Sequence, residues 1–147
     1  MRKNLLFGII TLSLAICVWT SPLAAETYMN PAVNGPETPS YWVDLGGLYA
    51  TYGAYPAAIK AYEKALALEP SSSAILYDLA IAHAELDQMD QALDLVNKAI
   101  SLDSGQNRYY YARAWILLKS GRQAEAKEDF QRAAELGNQD AKAYLQK

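Results

Sequence analysis

Apolar and polar positions along this chain keep two periods at once. Over short stretches the apolar residues return every three or four positions. Trp42, Leu45, Gly46 and Tyr49 form one such set; Ala58, Ile59, Tyr62, Ala65 and Leu66 form another, interrupted by Lys60, Glu63 and Lys64. Spacing near 3.6 residues gathers each set on one face of an α-helix. Over longer distances the pattern recurs at 34 residues, in Ala58, Ala92 and Ala126, in Ala65, Ala99 and Ala133, and in Leu68, Leu102 and Leu136. Leu45 and Leu79 share that spacing and are followed by the small residues Gly46, Ala80 and Ala114. A constant period of this length marks an array of like units, none of which buries its apolar face alone. The period divides the chain into repeats at 39–72, 73–106 and 107–140.

Each unit reads as two helices. In the first, Gly53 and Tyr55-Pro56 break the run, and Pro56 opens the next helix because the first helical turn has no use for its missing N–H. Pro70 ends that second helix. Unit two is expected to turn at Leu86-Asp87, with Asp90 as N-cap of its second helix, and unit three at Ser120-Gly121. The recurring alanines are sockets: a small side chain lets the partner backbone approach, so Ala58 and Ala65 receive groups such as Tyr49 and Trp42. Tyr144 lies 34 residues after Tyr110, so the chain begins a fourth first-type helix, a short cap at 141–147. The fold class predicted is all-α.

Trp42-x-x-Leu45-Gly46-x-x-Tyr49, followed by Ala58, Tyr62, Ala65 and Pro70, closely resembles the tetratricopeptide repeat pattern through one complete unit. Unit two keeps Leu79, Ala80, Ala92, Ala99 and Leu102 but has His83 where an aromatic is usual and Ser104 in place of Pro. Unit three keeps Ala114, Gly121, Ala126, Phe130 and Ala133, with Asn138 in place of Pro. The resemblance spans Pro39 to Asp140. It implies a right-handed superhelix of antiparallel helix pairs in an interaction domain at 39–147, and protein binding as the task.

Two segments precede the repeats. Arg2 and Lys3 are followed by an almost wholly apolar run from Leu5 to Trp19, and no charge appears before Glu26. That is the layout of an export signal over 1–25, cut after Leu23-Ala24-Ala25. Two other readings stay open. Leu14-Ala15-Ile16-Cys17 resembles the lipobox of bacterial lipoproteins, with Ile16 where a small residue is expected; and the uncharged stretch is long enough to remain as a membrane anchor. Pro31, Gly35 and Pro36 make 26–38 a flexible linker. The localisation expected is exported, periplasmic or secreted.

Charge and cysteine usage narrow the function. The net charge of the whole chain is −3; without Arg2 and Lys3 eleven basic residues face sixteen acidic ones, which disfavours nucleic acid as a partner. The imbalance is uneven, with three basic and eleven acidic residues in 26–107 against eight and five in 108–147. Cys17 is the only cysteine and falls within the export segment, so neither disulfide nor thiolate chemistry is expected in the mature form.

The first helices carry a second apolar stripe, which asks for a partner because a surface helix needs only one. It runs through Val43, Gly47 and Ala50 in unit one, Tyr77, Ile81 and Ala84 in unit two, and Tyr111, Trp115 and Leu118 in unit three. The resemblance places these helices on the inner, concave surface. Packing between neighbouring first helices accounts well for Val43, Ala50 and Ala84, and less well for Tyr77, Tyr111 and Trp115, whose size and polar tips suit an interface. Arg108 and Lys119 flank the unit-three stripe and suit a carboxylate or carbonyl. Some members of the family grip a peptide carboxylate with Lys, Asn and Arg, but here those positions hold Val43, Gly47, Tyr77 and Ile81. The candidate site is therefore Val43, Gly47, Tyr77, Ile81, Arg108, Tyr111, Trp115, Leu118 and Lys119, taking a peptide or helix of a protein partner.

Nothing points to an enzyme, a metal or a cofactor. His83 stands near Glu85 and Asp87, but residues two apart on a helix face away from each other, and the repeat puts a core-facing ring at position 83. Tyr109, Tyr110 and Tyr111 point in three directions and make no single stacking platform. No phosphate loop or nucleophile motif is present. The function expected is a protein-interaction adaptor of the cell envelope; the alternative is a membrane-tethered structural subunit assembling through its edges.

Overall fold

The computed structural model describes residues 38–146. The expected export segment 1–25 and, apart from Thr38, the expected linker 26–38 lie outside the described residues. Among them the chain forms seven α-helices and no strand: α1 (Pro39–Thr51), α2 (Tyr55–Leu68), α3 (Ser73–Glu85), α4 (Met89–Leu102), α5 (Asn107–Lys119), α6 (Gln123–Glu135) and α7 (Gln139–Leu145). The first helices α1, α3 and α5 each have 13 residues and start at Pro39, Ser73 and Asn107, so the hydrophobic period of the sequence is also the period of the backbone. No described helix is long and apolar enough to cross a membrane.

Every pair closes through one kind of backbone turn. Gly53, at φ 72°, donates its N–H to Ala50 O at 3.0 Å, and Ala54 N–H reaches back to Tyr49 O at 2.9 Å. The double bond satisfies carbonyls at the end of α1 that have no partner within the helix. Gly121 repeats this at φ 76°, and Asp87 does so at φ 57°. A left-handed conformation costs an L-residue about 1–2 kcal/mol, and aspartate is among the few that visit it routinely. The same turn corrects the expectation for Asp90. Gln88 N–H is bonded to His83 O at 3.0 Å, so α4 starts at the next residue, Met89. Gln88 is then the N-cap, and Asp90 lies in the first turn, where its carboxylate faces the positive end of the helix.

The exit from α6 departs from the other units. Glu69 and Asp103, one period apart, have negative φ of −134° and −145°, whereas the equivalent Gly137 has φ 95°. Its N–H bonds to Ala134 O at 3.0 Å and that of Asn138 to Ala133 O at 2.9 Å, which shortens the connection. Asn138 then caps α7, its side chain accepting from Ala141 N–H at 2.8 Å. The short terminal helix thus begins at Gln139, two residues ahead of the strict register.

Packing explains the alanines. Ala58, Ala65, Ala92, Ala99, Ala126 and Ala133 are all fully buried, and Trp42 and Tyr62 share an apolar cluster with the first two. Periodicity alone does not guarantee burial: Leu68 and Leu102 recur with equal regularity yet are 47% and 51% exposed. Consecutive first helices adjoin, α1 with α3 and α3 with α5, while successive second helices make no comparable contact. The array therefore curves with α1, α3 and α5 on its inner side, the superhelical arrangement expected.

Gly46 marks the tightest approach. A Cβ placed on it would lie 2.5 Å from Cε1 of the Tyr62 ring. Units two and three have alanine here and hold Val96 and Phe130 one period on from Tyr62, all within one apolar cluster. Gly46→Ala is expected to destabilise by about 1–3 kcal/mol through overpacking, and the penalty should largely vanish in a Tyr62→Val background. Urea unfolding of the four proteins of this cycle measures the coupling.

Candidate functional site

The structure divides the predicted stripe into three parts. In unit one Val43 is half-buried against the Trp42 cluster, and Ala50 packs with it. Gly47 is also half-buried, and its carbonyl accepts from the Thr51 hydroxyl at 2.9 Å. This end is consumed by packing and by the helix itself.

In the middle, α3 and α5 bring two predicted residues together. The Tyr77 ring lies 5.1 Å from that of Tyr109, and the Arg108 guanidinium sits 4.9 Å and 5.2 Å from the two ring centroids. Arg108 is exposed, so the cation covers the seam between two repeats while keeping a solvent-facing side. Burial pushes the Tyr77 hydroxyl above its ordinary pKa against the opposing pull of Arg108, so it stays a neutral phenol. Burial also raises the Asp78 carboxyl, again opposed by Arg108. Ile81 is half-buried and Ala84 fully buried.

At the third part Tyr111 and Trp115 belong to a nest of four rings. Phe130 stacks on Tyr144 at 4.0 Å, and both meet Trp115 edge-on, at 5.7 Å and 5.8 Å. Tyr111 lies 5.7 Å from Phe130 and 6.3 Å from Trp115. Three rings therefore hold Trp115 in place, yet it remains 42% exposed. Leu118 is half-buried and lines an open groove with Gln123, Ala124, Lys127, Tyr144 and Leu145, and Lys119 is exposed in the last turn of α5. The three consecutive tyrosines separate: Tyr109 faces α3, donating to the Ser73 hydroxyl at 3.1 Å, Tyr110 donates to Ser104 O at 3.2 Å, and Tyr111 joins the nest.

Two features lie outside the repeat pattern. Arg113 forms a two-pronged ion pair with Asp129, both contacts at 2.7 Å, and its remaining arm donates to Asn97 at 2.7 Å. The carboxylate holds the guanidinium pKa above its ordinary value. A signal was available, since Arg113 stands one period after Leu45 and Leu79, and Asp129 one period after Ala61 and Leu95. Two charges of opposite sign entering paired apolar positions of one unit are expected to meet. His83 is the second feature. Its ring, expected in the core, is half-buried and turns to Gln88, with Nδ1 2.6 Å from Oε1, because the reversed turn at Asp87 brings Gln88 alongside. Among the described residues no group of three or more His, Cys, Asp and Glu side chains is placed to hold a metal ion.

Sequence models of the tetratricopeptide repeat match residues 23–73, 49–116 and 108–140, and between them cover all three helix pairs. The chain belongs to the tetratricopeptide repeat family. It is 30% identical over 118 residues to BBSome complex member BBS4 of Xenopus tropicalis, a match over 80% of this chain and 23% of that protein. The chain thus spans about a quarter of that relative's length. Among solved structures it is similar to the first tetratricopeptide domain of human RPAP3, with 26% identity and a TM-score of 0.70 over 76% of this chain and 90% of the other. It also resembles the first such domain of Spaghetti (RPAP3) bound to the HSP90 peptide SRMEEVD, with 24% identity and a TM-score of 0.69 over 76% of this chain and 94% of that one, a likeness of fold.

Proposed function

We propose that this chain is a protein-interaction module placed outside the cytoplasm, which captures an apolar peptide or helix along the inner faces of α3 and α5. The carrying observation is Trp115. A tryptophan left 42% exposed while Tyr111, Phe130 and Tyr144 fix its orientation is a preorganised anchor, since little side-chain freedom remains to be lost on binding. Arg108, spread over Tyr77 and Tyr109, adds a cation one repeat seam away for a carboxylate or carbonyl of the ligand. A relative's domain bound to a peptide supports the reading by analogy of fold. The apolar run over 1–25 supports export.

Capture from envelope extract identifies the partner, and titration of that partner tests the site. Trp115→Ala is expected to weaken binding about tenfold or more, and Arg108→Ala by less, with the helical signal nearly unchanged and the protein still folded under the conditions of the titration. Native-like affinity in Trp115→Ala refutes the anchor. Intact mass gives the location its own check: a mature protein starting at Glu26 supports free export, whereas a lipid adduct on Cys17 replaces it with tethering.

A further inference from the structure

Leu48, Ala82 and Ile116 occupy one register position, 34 residues apart on α1, α3 and α5. Ala82 and Ile116 are 1% and 2% exposed, because that face of α3 packs on α2 and that of α5 on α4. On α1 the same face is open. Leu48 is 53% exposed and Tyr52 80%, with Asp44 exposed one turn earlier. Spaced four residues apart, the three form a ridge with an acid at one end.

The opposite edge presents a bed. Where α1, α3 and α5 have 13 residues, α7 has 7 and turns at Gln146. A groove of about 710 Å³ is lined by Leu118, Gln123, Ala124, Lys127, Tyr144 and Leu145. Units one and two hold Tyr55 and Ile59, and Met89 and Leu93, where this unit holds Gln123 and Lys127. The bed has exchanged two apolar side chains for an amide and a cation, and Lys127 joins none of the ion pairs among the described residues. The wider charge follows suit. Residues 38–107 carry nine acidic and three basic side chains, and 108–146 carry five and seven.

We infer that the α1 ridge of one copy docks in the α5–α7 groove of a second copy. Leu48 and Tyr52 fill the apolar part beside Leu118, Tyr144 and Leu145, and Asp44 meets Lys127. A second copy suits the groove better than a further apolar repeat, because the ridge supplies the carboxylate that Lys127 lacks. It also supplies a helix face whose counterparts on α3 and α5 already serve as stacking surfaces. Unlike surfaces meet in this contact, so it propagates into a chain of copies unless the rotation between them closes a ring.

Sedimentation velocity on the purified full chain tests the contact. The mass is expected to climb above the monomer as concentration rises and to fall back as salt is added. Asp44→Lys and Lys127→Asp should each weaken self-association about tenfold, and the double charge-swapped chain should recover it. All three positions of the ridge and Lys127 are exposed, so these variants keep the fold, which circular dichroism verifies. A monomer at every concentration overturns the inference. So does association indifferent to either reversal, as an apolar 4–25 segment or another surface would produce, or a double variant no stronger than the singles.

Discussion

Phe130→Ala is expected to cost about 3–5 kcal/mol, the range for removing a fully buried aromatic ring. Phe130 has no exposed surface and lies at the junction of α5, α6 and α7, stacked on Tyr144 and met edge-on by Tyr111 and Trp115. Its loss opens a cavity and removes the platform that holds α7. A helix of 7 residues has little stability of its own, so its order rests on that platform. Urea unfolding measures the loss against a total of about 5–15 kcal/mol for a domain of this size. Amide exchange should show α7 opening before the rest, because each unit of a repeat array is supported only by its neighbours. A loss below about 1 kcal/mol would mean that the four rings are not packed as described.

Asp129→Ala is expected to cost about 3 kcal/mol, because it strands the Arg113 cation. The Asp129 side chain is 9% exposed and that of Arg113 25%, so the remaining charge is only partly rescued by water. The paired replacement should behave differently. With Arg113→Leu and Asp129→Leu, unit three acquires the residues that unit two has at Leu79 and Leu95. Two charges no longer need desolvation, and the double variant is expected to lie within about 1 kcal/mol of the parent or above it. A double-mutant cycle by urea unfolding reads both outcomes, and equal losses in the single and double variants would show that the pair is not the source of the cost.

Much of this architecture was legible before any coordinates. Six alanines at one period specify helices that approach closely at regular places, and regular close approach leaves little besides stacked hairpins. The turns were legible where glycine signals a left-handed residue, at Gly53 and Gly121. At Asp87 the break was readable while the conformation was not, and Asp90 was consequently misplaced as a cap. His83 was misjudged for a related reason: its register position predicts the core, but a neighbour brought round by the turn offers its ring a hydrogen bond.

The candidate site was legible as a stripe and no further. Val43, Tyr77 and Tyr111 hold like positions in successive units, yet one is packed, one lies beneath a guanidinium and one joins the ring nest beside the partly exposed Trp115. What differs is the neighbour: the Trp42 cluster for Val43, Arg108 and Tyr109 for Tyr77, and Phe130 of α6 with Trp115 for Tyr111. Leu68 and Leu102 make the same point from outside the site, since their period is perfect and their faces are in water.

Sequence alone determined the unit, its length and the family, because helical faces and close contacts are local demands that each repeat must meet with its own residues. Which apolar side chains remain for a partner was decided by tertiary structure. Exposure depends on what the next helix covers, and that depends on where each helix begins and ends. At Gly137 a single left-handed residue draws α7 two positions forward, and α7 sets Tyr144 against Trp115 and Phe130.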